Sequence, residues 1–352
     1  MLNVLKNSTL AGIQAEIAKQ NEIIEDFVNL YAVSTWDVVQ ANVRTGKASQ
    51  YYDIGDELIC NYHDYVGNAD YDFPWVDAEI DRDVVLPDGT TRKALILNAK
   101  YATLEEIQFD AAEGQDVDST TETTAQEGWH YCGVTGTTYT LLNLSTGDAI
   151  PFSSYDSIKK CGINDINVLR YGYNRYKMSA QRQWLNSDAE IGEWWEAQHF
   201  GDVAPSQLAT RPGFLKGLDD DFLAVINPVK VQVAANTVTD GGVTDIMYDK
   251  FWLTSLEEMY GVPQAAGVEG AYFPYWKEVT GLTSPSNGSS TVTNDARKIK
   301  PINAPSGSAV AVRLRSAYRG SSTNTWYVSS AGYLATSSAY TSYGALPACA
   351  IF

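Results

Sequence analysis

Charged side chains are almost absent from the last part of the chain. Residues 316–352 contain only one, Arg319, whereas 19% of the whole sequence is charged. The segment is instead rich in Tyr, Ser, Thr and Gly. Antibody combining loops have a similar composition, because Tyr gives stiff amphipathic contact area while Ser and Gly give adaptable hydrogen bonding. The composition predicts a recognition surface in this segment.

Cations and metal-binding residues are also few. The chain has 25 Lys and Arg against 43 Asp and Glu, a net charge of −18, and such a surface argues against binding to nucleic acid or anionic membranes. The three His fit no zinc motif and the four Cys are far apart, so we expect no metal site, no cofactor and reduced, buried thiols. No catalytic motif such as Gly-x-Ser-x-Gly occurs, and we therefore do not expect an enzyme.

Long apolar runs are missing as well. No run is long enough to span a membrane, and the first residues lack the apolar core of a signal peptide. We therefore expect synthesis in the cytoplasm, and release by cell lysis would fit. The apolar content of 44% over 352 residues still predicts folded domains with sizeable cores.

A helical pattern begins the chain and defines the first predicted segment, residues 1–48. Apolar positions alternate three and four apart with one polar member, which is a heptad pattern. The pattern fits either a helix docked on its own domain or helix–helix association between subunits. Its members are Leu10, Ile13, Ile17, Gln20, Ile24, Phe27 and Tyr31.

Short strands and turns dominate the second predicted segment, residues 49–160, with a turn expected at 87–89. In the third segment, residues 161–352, the stretch 174–199 has a helical character. Residues 250–260 predict a strand leading into a helix, with Ser255 as N-cap. We expect Trp184 and Trp252 to be core residues, because each has alternating apolar neighbours.

Several motifs in the C-terminal half resemble a domain family that is common in gut bacteriophages and some bacteria. They lie at residues 170–176, 182–188, 211–215, 249–258 and 313–317, and the ending 344–351 has Leu346 where the family usually has Arg. Proteins of this kind look like the C-type lectin-like variable proteins that retroelements diversify in phages. The resemblance is close over 170–352 and loose over 51–169.

The resemblance implies an α+β protein in which an N-terminal helix and a β-rich segment precede a C-type lectin-like domain. The Glu-Pro-Asn, Gln-Pro-Asp and Trp-Asn-Asp motifs of calcium-dependent lectins are absent from the sequence, so calcium-dependent sugar binding is not expected. Residues 318–345 also lack Lys, Glu, Gln, Met and Asp. Adenine-directed mutagenesis of Asn codons would give such a composition, and so would a constant loop of low charge.

These features predict a ligand-binding face on the last segment. Its residues should be mostly exposed and lie on one face, above buried Trp326, Val328 and Leu334. The expected ligand-binding residues are Tyr318, Arg319, Ser321, Ser322, Asn324, Tyr327, Ser329, Tyr333, Ser337, Tyr340, Ser342 and Tyr343.

The resemblance further implies a phage virion surface protein, on the tail or head, that binds a host-surface protein or glycan and contacts other virion proteins. A homotrimer is expected by analogy with related phage variable proteins. The alternatives are a structural virion component without its own ligand, such as a head decoration or tail subunit, and an enzyme on the same fold. Sequence variants of the same locus would separate them, because a binder should vary within 318–345 only.

Overall fold

The computed structural model describes residues 12, 15–20, 36–65, 67–112, 123–124, 129–135, 138–143, 149–152, 171–198, 202–280 and 308–352, with the backbone alone for 123–152. Most of the predicted heptad pattern lies outside these residues. Residues 15–20 are helical, and Ile17 and Gln20 are both exposed there.

The described part of the chain is an α+β structure with the helical stretch 15–20, five further α-helices and sixteen strands. The helices are α1 Trp36–Arg44, α2 Ala48–Tyr51, α3 Ala180–Leu185, α4 Asp220–Val225 and α5 Leu256–Tyr260. The strands are β1 Glu57–Asp64, β2 Ala69–Val85, β3 Thr91–Ala99, β4 Ile107–Gln108, β5 Thr123–Thr124, β6 Trp129–Thr135, β7 Thr138–Asn143, β8 Ala149–Phe152, β9 Val229–Ala234, β10 Thr244–Asp249, β11 Phe251–Leu253, β12 Val312–Ala317, β13 Asn324–Val328, β14 Leu334–Ser338, β15 Ser342–Ala345 and β16 Pro347–Ile351.

Two five-stranded sheets contain the C-terminal strands. The first has the order β1-β2-β3-β16-β11, and the second has the order β14-β13-β12-β15-β4. Strands β9 and β10 form a two-stranded sheet, and β5 to β8 form a four-stranded one. Within the second sheet β12 and β15 are parallel, whereas β13 is antiparallel to both β12 and β14.

The division expected after residue 160 does not separate two sheets. Strand β3 pairs with β16, for example Leu97 with Cys349, and β4 pairs with β15, for example Ile107 with Tyr343. Residues 57–108 therefore share sheets with the last strands of the chain. A period-two pattern identifies a strand from local sequence, but it carries no information about a distant pairing partner.

The core lies between the first sheet and the helices that cover it. Trp75, Phe222 and Phe251 are packed with ring centroids 5.3 to 6.1 Å apart. Helix α1 adds Trp36, whose ring lies 4.4 Å from that of Phe222. The α1 side chain of Gln40 donates through Nε2 to the carbonyl oxygen of Phe352 at 3.0 Å. This helix is thus part of the main core.

Local signals at the start of α5 are confirmed. The Ser255 hydroxyl accepts from the backbone N–H of Glu258, and the Glu258 carboxylate accepts from the backbone N–H of Ser255, which is a capping box. The turn predicted at 87–89 is also present, with Gly89 at φ 82°.

The helix expected over 174–199 is mostly wrong. Only Ala180–Leu185 is α-helical, after a single 3₁₀ turn at Tyr176–Met178. Residues 186–198 form turns and irregular backbone. Trp184 on the helix and Trp194 on the irregular segment are both buried, and their indole N–H groups donate to the carbonyl oxygens of Pro212 and Arg211. The large apolar residues of the irregular segment thus produced a false helical pattern.

Candidate functional site

Three side chains of the low-charge segment come together on one side of the second sheet. They are Tyr327 of β13, Ser337 of β14 and Tyr343 of β15, and we name them the tyrosine face. The two Tyr rings are stacked with centroids 4.7 Å apart and planes inclined by 11°. The Tyr343 hydroxyl donates to Ser337 Oγ at 3.3 Å. All three are half-buried, so each ring presents part of its surface to solvent.

The sheet register explains this arrangement. Arg313 of β12 lies opposite Tyr327, and Tyr327 lies opposite Ala335 of β14. Thr325, two residues before Tyr327, lies opposite Ser337. Because residues two apart on a strand share a face, these side chains lie on the same side of the sheet.

A buried cation supports the tyrosine face from below. Arg313 is 0% exposed, and its guanidinium carbon lies 4.4 Å from the centre of the Tyr343 ring. It donates to Thr325 Oγ1 at 2.6 Å and to three carbonyl oxygens, those of Ser337, Ser338 and Thr341. No carboxylate pairs with it in the described part of the chain. Its hydrogen bonds connect β12 with β13, the end of β14 and the turn into β15.

The electrostatics of the face follow from this burial. Desolvation lowers the pKa of the Arg313 guanidinium to about 9, while the neighbouring hydroxyls of Tyr343 and Tyr327 oppose the shift. Partial burial raises the pKa of the Tyr327 hydroxyl, and contact with Tyr343 adds to the rise. The Tyr327 phenol is therefore neutral beside a positive guanidinium near neutral pH, and a neutral phenol can both donate and accept hydrogen bonds.

The loop between β12 and β13, residues 318–323, is held by a buried amide. Asn174 is 0% exposed. Its Nδ2 donates to the carbonyl oxygens of Ser321 and Asn324 at 2.7 and 2.8 Å, and its Oδ1 accepts from Asn236 Nδ2 at 3.0 Å. The backbone N–H of Asn174 donates to the carbonyl oxygen of Ser322. The conformation of this loop is thus determined by residues far away in sequence.

Further ion pairs and hydrogen bonds surround Asn174. Arg175 donates to both oxygens of Asp245 at 2.7 and 2.8 Å, and the Tyr173 hydroxyl donates to Asp240. Sequence reasoning assigned no role to these residues. Their signal in the sequence is the motif at 170–176, which carries the family resemblance.

The expected binding residues do not share one face. Asn324 belongs to the opposite side of β13, where it pairs with Ser338. Tyr318, Arg319, Ser321 and Ser322 lie in the β12–β13 loop, Ser329 and Tyr333 flank the β13–β14 turn, and Tyr340 and Ser342 flank the β14–β15 turn. Tyr327, Ser337 and Tyr343 form a contiguous group through their side chains.

The expectation that the segment is mostly exposed is wrong. Ser322 is only 3% exposed, and Thr323 and Thr325 are buried as well. Arg319 points into its own domain, where it donates to the carbonyl oxygen of Gln264 at 3.0 Å. The physical reason is that polar side chains here provide hydrogen bonds that fix the turns. Tyr318 is 41% exposed, and the other four Tyr are half-buried.

The predicted core positions are confirmed in part. Val328 and Leu334 are buried, and so are Trp184 and Trp252. Trp326 is only half-buried, and its ring makes an edge contact with Tyr318 at 5.7 Å between ring centroids. The expectation that Trp326 is buried is therefore wrong.

The described residues show neither a metal-binding cluster nor a membrane-spanning helix. They contain no group of three His, Cys, Asp or Glu side chains that could hold a metal ion. No helix in the described ranges has the length and apolar character needed to cross a membrane.

Comparisons with known proteins leave one informative match. No curated protein and no solved structure matches the chain. One family model, described as "Domain of unknown function (DUF6273)", matches residues 158–352, which is more than half of the chain and includes Asn174, Arg313 and the tyrosine face. The chain therefore belongs to the DUF6273 family.

Proposed function

We propose that the chain is a phage virion surface protein that binds a ligand on the host-cell surface, a protein or a glycan, through the tyrosine face. The observation that carries this proposal is the stacked Tyr327–Tyr343 pair, held on a sheet and partly open to solvent. Aromatic side chains that are fixed before binding lose little conformational entropy on contact, and Tyr is enriched among residues that dominate binding energy.

The surroundings of the pair favour recognition. No Asp, Glu or Lys occurs in residues 316–352, so a ligand meets Tyr, Ser and Thr groups without a charged side chain that must lose its water. The buried hydrogen bonds of Arg313 and Asn174 fix the backbone below. Substitutions at the outer positions would then cost little stability, which suits a face that differs between copies through retroelement diversification.

The proposal includes the finer fold assignment. The motif order supports a C-type lectin-like domain, and so does the α+β architecture, in which an antiparallel sheet is combined with a mixed one. In the virion this domain would be displayed on the tail or head beside other virion proteins, with homotrimers giving several binding faces.

Binding of the purified full chain to intact bacteria, glycan arrays and cell-surface extracts tests the function. We expect Tyr327→Ala and Tyr343→Ala each to weaken binding by about 2 kcal/mol or more, roughly thirtyfold, because central aromatic anchors have effects of this size. The matched control is Tyr248→Ala on β10, a 41% exposed Tyr away from the face. Wild-type binding by both folded face variants would contradict the proposal.

A structural virion subunit is the second candidate, and one observation favours it. Strand β10 turns Ile246 and Tyr248 outward, at 46% and 41% exposure, and Val243 beside it is 48% exposed. Such an apolar row suits contact with a neighbouring protein. If Tyr248→Ala and Ile246→Ser prevent incorporation into particles while the face variants have no effect on host binding, the structural function is the correct one.

A further inference from the structure

A second possible binding site lies away from the tyrosine face, in a cavity between β2, β9 and the segment 267–270. Its volume is about 200 Å³. Drug-sized ligands occupy pockets of roughly 300–1,000 Å³, so only a small molecule fits. Six aliphatic residues contribute to the wall, which are Val84, Val85, Ile96, Val229, Val231 and Val268.

The inner wall contains a buried ion pair. Arg315 and Glu258 are each 2% exposed. Arg315 Nη2 donates to Glu258 Oε1 at 3.0 Å, and its Nη1 also donates to this carboxylate. Arg315 Nε and the indole N–H of Trp252, which also lines the cavity, have no hydrogen-bond partner in the described structure. The wall therefore has an excess of donors over acceptors.

Two further cations line the cavity nearer to solvent. Arg82 donates through Nη1 to Glu79 at 2.8 Å, and no hydrogen bond of its Nη2 is found among the described residues. Lys230 is half-buried. It forms no ion pair with any residue that the structure describes. The acidic neighbour Asp83 is already paired with Lys93 at 2.9 Å. Arg82 is paired with Glu79, so Lys230 leaves one positive charge without an ion pair among the described residues, in a chain whose net charge is −18.

A glycine allows the loop to approach the ion pair. Gly270 has φ +101°, and a Cβ there would lie 2.7 Å from Glu258 Oε1 and 3.2 Å from Arg82 Nη2. Arg82 Nη2 is therefore close to the buried pair, and any larger residue at 270 would intrude on these groups. The positive φ is also unfavourable for other residues.

We propose that this cavity binds a small carboxylic acid with a short apolar body. The carboxylate accepts hydrogen bonds from Arg82 Nη2 and Lys230 Nζ, and the apolar part contacts Val84 and Val231. A carboxylate suits the planar guanidinium, and charge-assisted hydrogen bonds are the strong ones. The aliphatic wall favours such a molecule over a bare inorganic anion, whose surface is polar throughout.

Calorimetric titration of the full chain with hexanoate and benzoate tests the proposal, with hexanamide and benzyl alcohol as uncharged counterparts. We expect saturable binding of the acids and at least about tenfold weaker binding of the counterparts, because a hydrogen bond to a charged group is lost. Inorganic phosphate should compete weakly.

Three variants locate the binding in the cavity. Lys230→Gln should weaken acid binding about tenfold or more, and Gln232→Trp, at a half-buried lining position, should abolish it by filling the space. Arg92→Gln is the matched control, because it makes the same charge change at an exposed position outside the cavity. Thermal unfolding of each variant confirms that it is folded.

Several outcomes would overturn the assignment. These are equal binding of acids and uncharged counterparts, an equal loss in Arg92→Gln and Lys230→Gln, or no saturable binding up to about 10 mM. Phosphate binding as tight as that of the acids would show a bare anion site instead. None of these results depends on the tyrosine face, so the two proposals can fail separately.

Discussion

At the scale of single residues, the core contains a carboxyl group with no partner. Asp77 of β2 is 0% exposed, and neither of its carboxylate oxygens has a hydrogen-bond partner in the described structure. Burial raises the pKa of this carboxyl to about 8, and the charge of Asp56 adds to the rise. The group is therefore protonated in the folded protein under conditions where the unfolded chain would release the proton.

The pH dependence of stability follows from this difference. Between about pH 4 and pH 8 the folded state binds more protons at Asp77 than the unfolded state, so the free energy of unfolding falls as pH rises through this window. We predict that Asp77→Asn removes this contribution. The free energy of unfolding of Asp77→Asn minus that of wild type should therefore be larger at about pH 8 than at about pH 5.

Urea unfolding at both pH values measures the effect, with Asp72→Asn on the exposed side of β2 as control. Identical pH dependence of wild type and Asp77→Asn would show that the Asp77 carboxyl is ionised normally. No sequence pattern identifies Asp77 as buried, because an Asp in an alternating strand pattern is expected to face solvent.

At the scale of elements, the β12–β13 loop depends on Asn174. This side chain makes hydrogen bonds to carbonyl oxygens of the loop and to Asn236, and all of them are buried or half-buried. We predict that Asn174→Ala lowers the free energy of unfolding by roughly 1–3 kcal/mol, because it leaves buried carbonyl groups without donors. It should also increase amide hydrogen exchange in residues 318–324.

Hydrogen exchange with mass spectrometry measures the local effect. The control is Asn227→Ala, since the Asn227 amide makes a single hydrogen bond, to Val225, and lies outside the loop. Unchanged exchange in residues 318–324 of Asn174→Ala would mean that the loop is stable without the amide. If the tyrosine face binds ligand as proposed, Asn174→Ala should lose less ligand affinity than Tyr327→Ala, because Asn174 only positions the adjoining loop.

Short-range sequence signals predicted some elements. Pairings between strands that are distant in sequence could not be predicted in this way. The strand, cap and helix at 250–260 were predictable because a capping box acts over a few residues. The pairing of β3 with β16 joins residues about 250 positions apart, and no local pattern specifies it. Among the predicted binding residues, Tyr327, Ser337 and Tyr343 lie together as a contiguous group. Ser322 is buried and Arg319 donates to Gln264, so neither belongs to this group.

At the scale of the whole molecule, the N-terminal segment has two parts with different surroundings. Helix α1 belongs to the core, because Trp36, Val39 and Val43 are buried. Residues 15–20 are helical and exposed, with Ile17 52% exposed. A shortened chain for testing assembly must therefore keep α1, and a start at Gln50 would remove core residues. A start at Ser34 keeps them.

We predict that the N-terminal segment with the heptad pattern, which includes Ile17 and Gln20, associates with the same segment of other subunits. The full chain should then be a homotrimer. An apolar stripe that is exposed on one subunit can be buried by the same stripe on others. Several linked binding faces can raise overall affinity by about 10²–10⁴ without any new contact, so weak single sites on a virion would suffice for attachment.

Light scattering on the full chain, on the chain that begins at Ser34 and on full-length Ile17→Asp measures the mass of each. We expect a trimer for the first and monomers for the other two, since a charge in the stripe opposes its burial. A monomeric full chain at micromolar concentration would exclude self-association through this helix. A trimer that persists from Ser34 onward would instead place the interface on the folded domain, where the exposed row on β10 becomes the surface to mutate next.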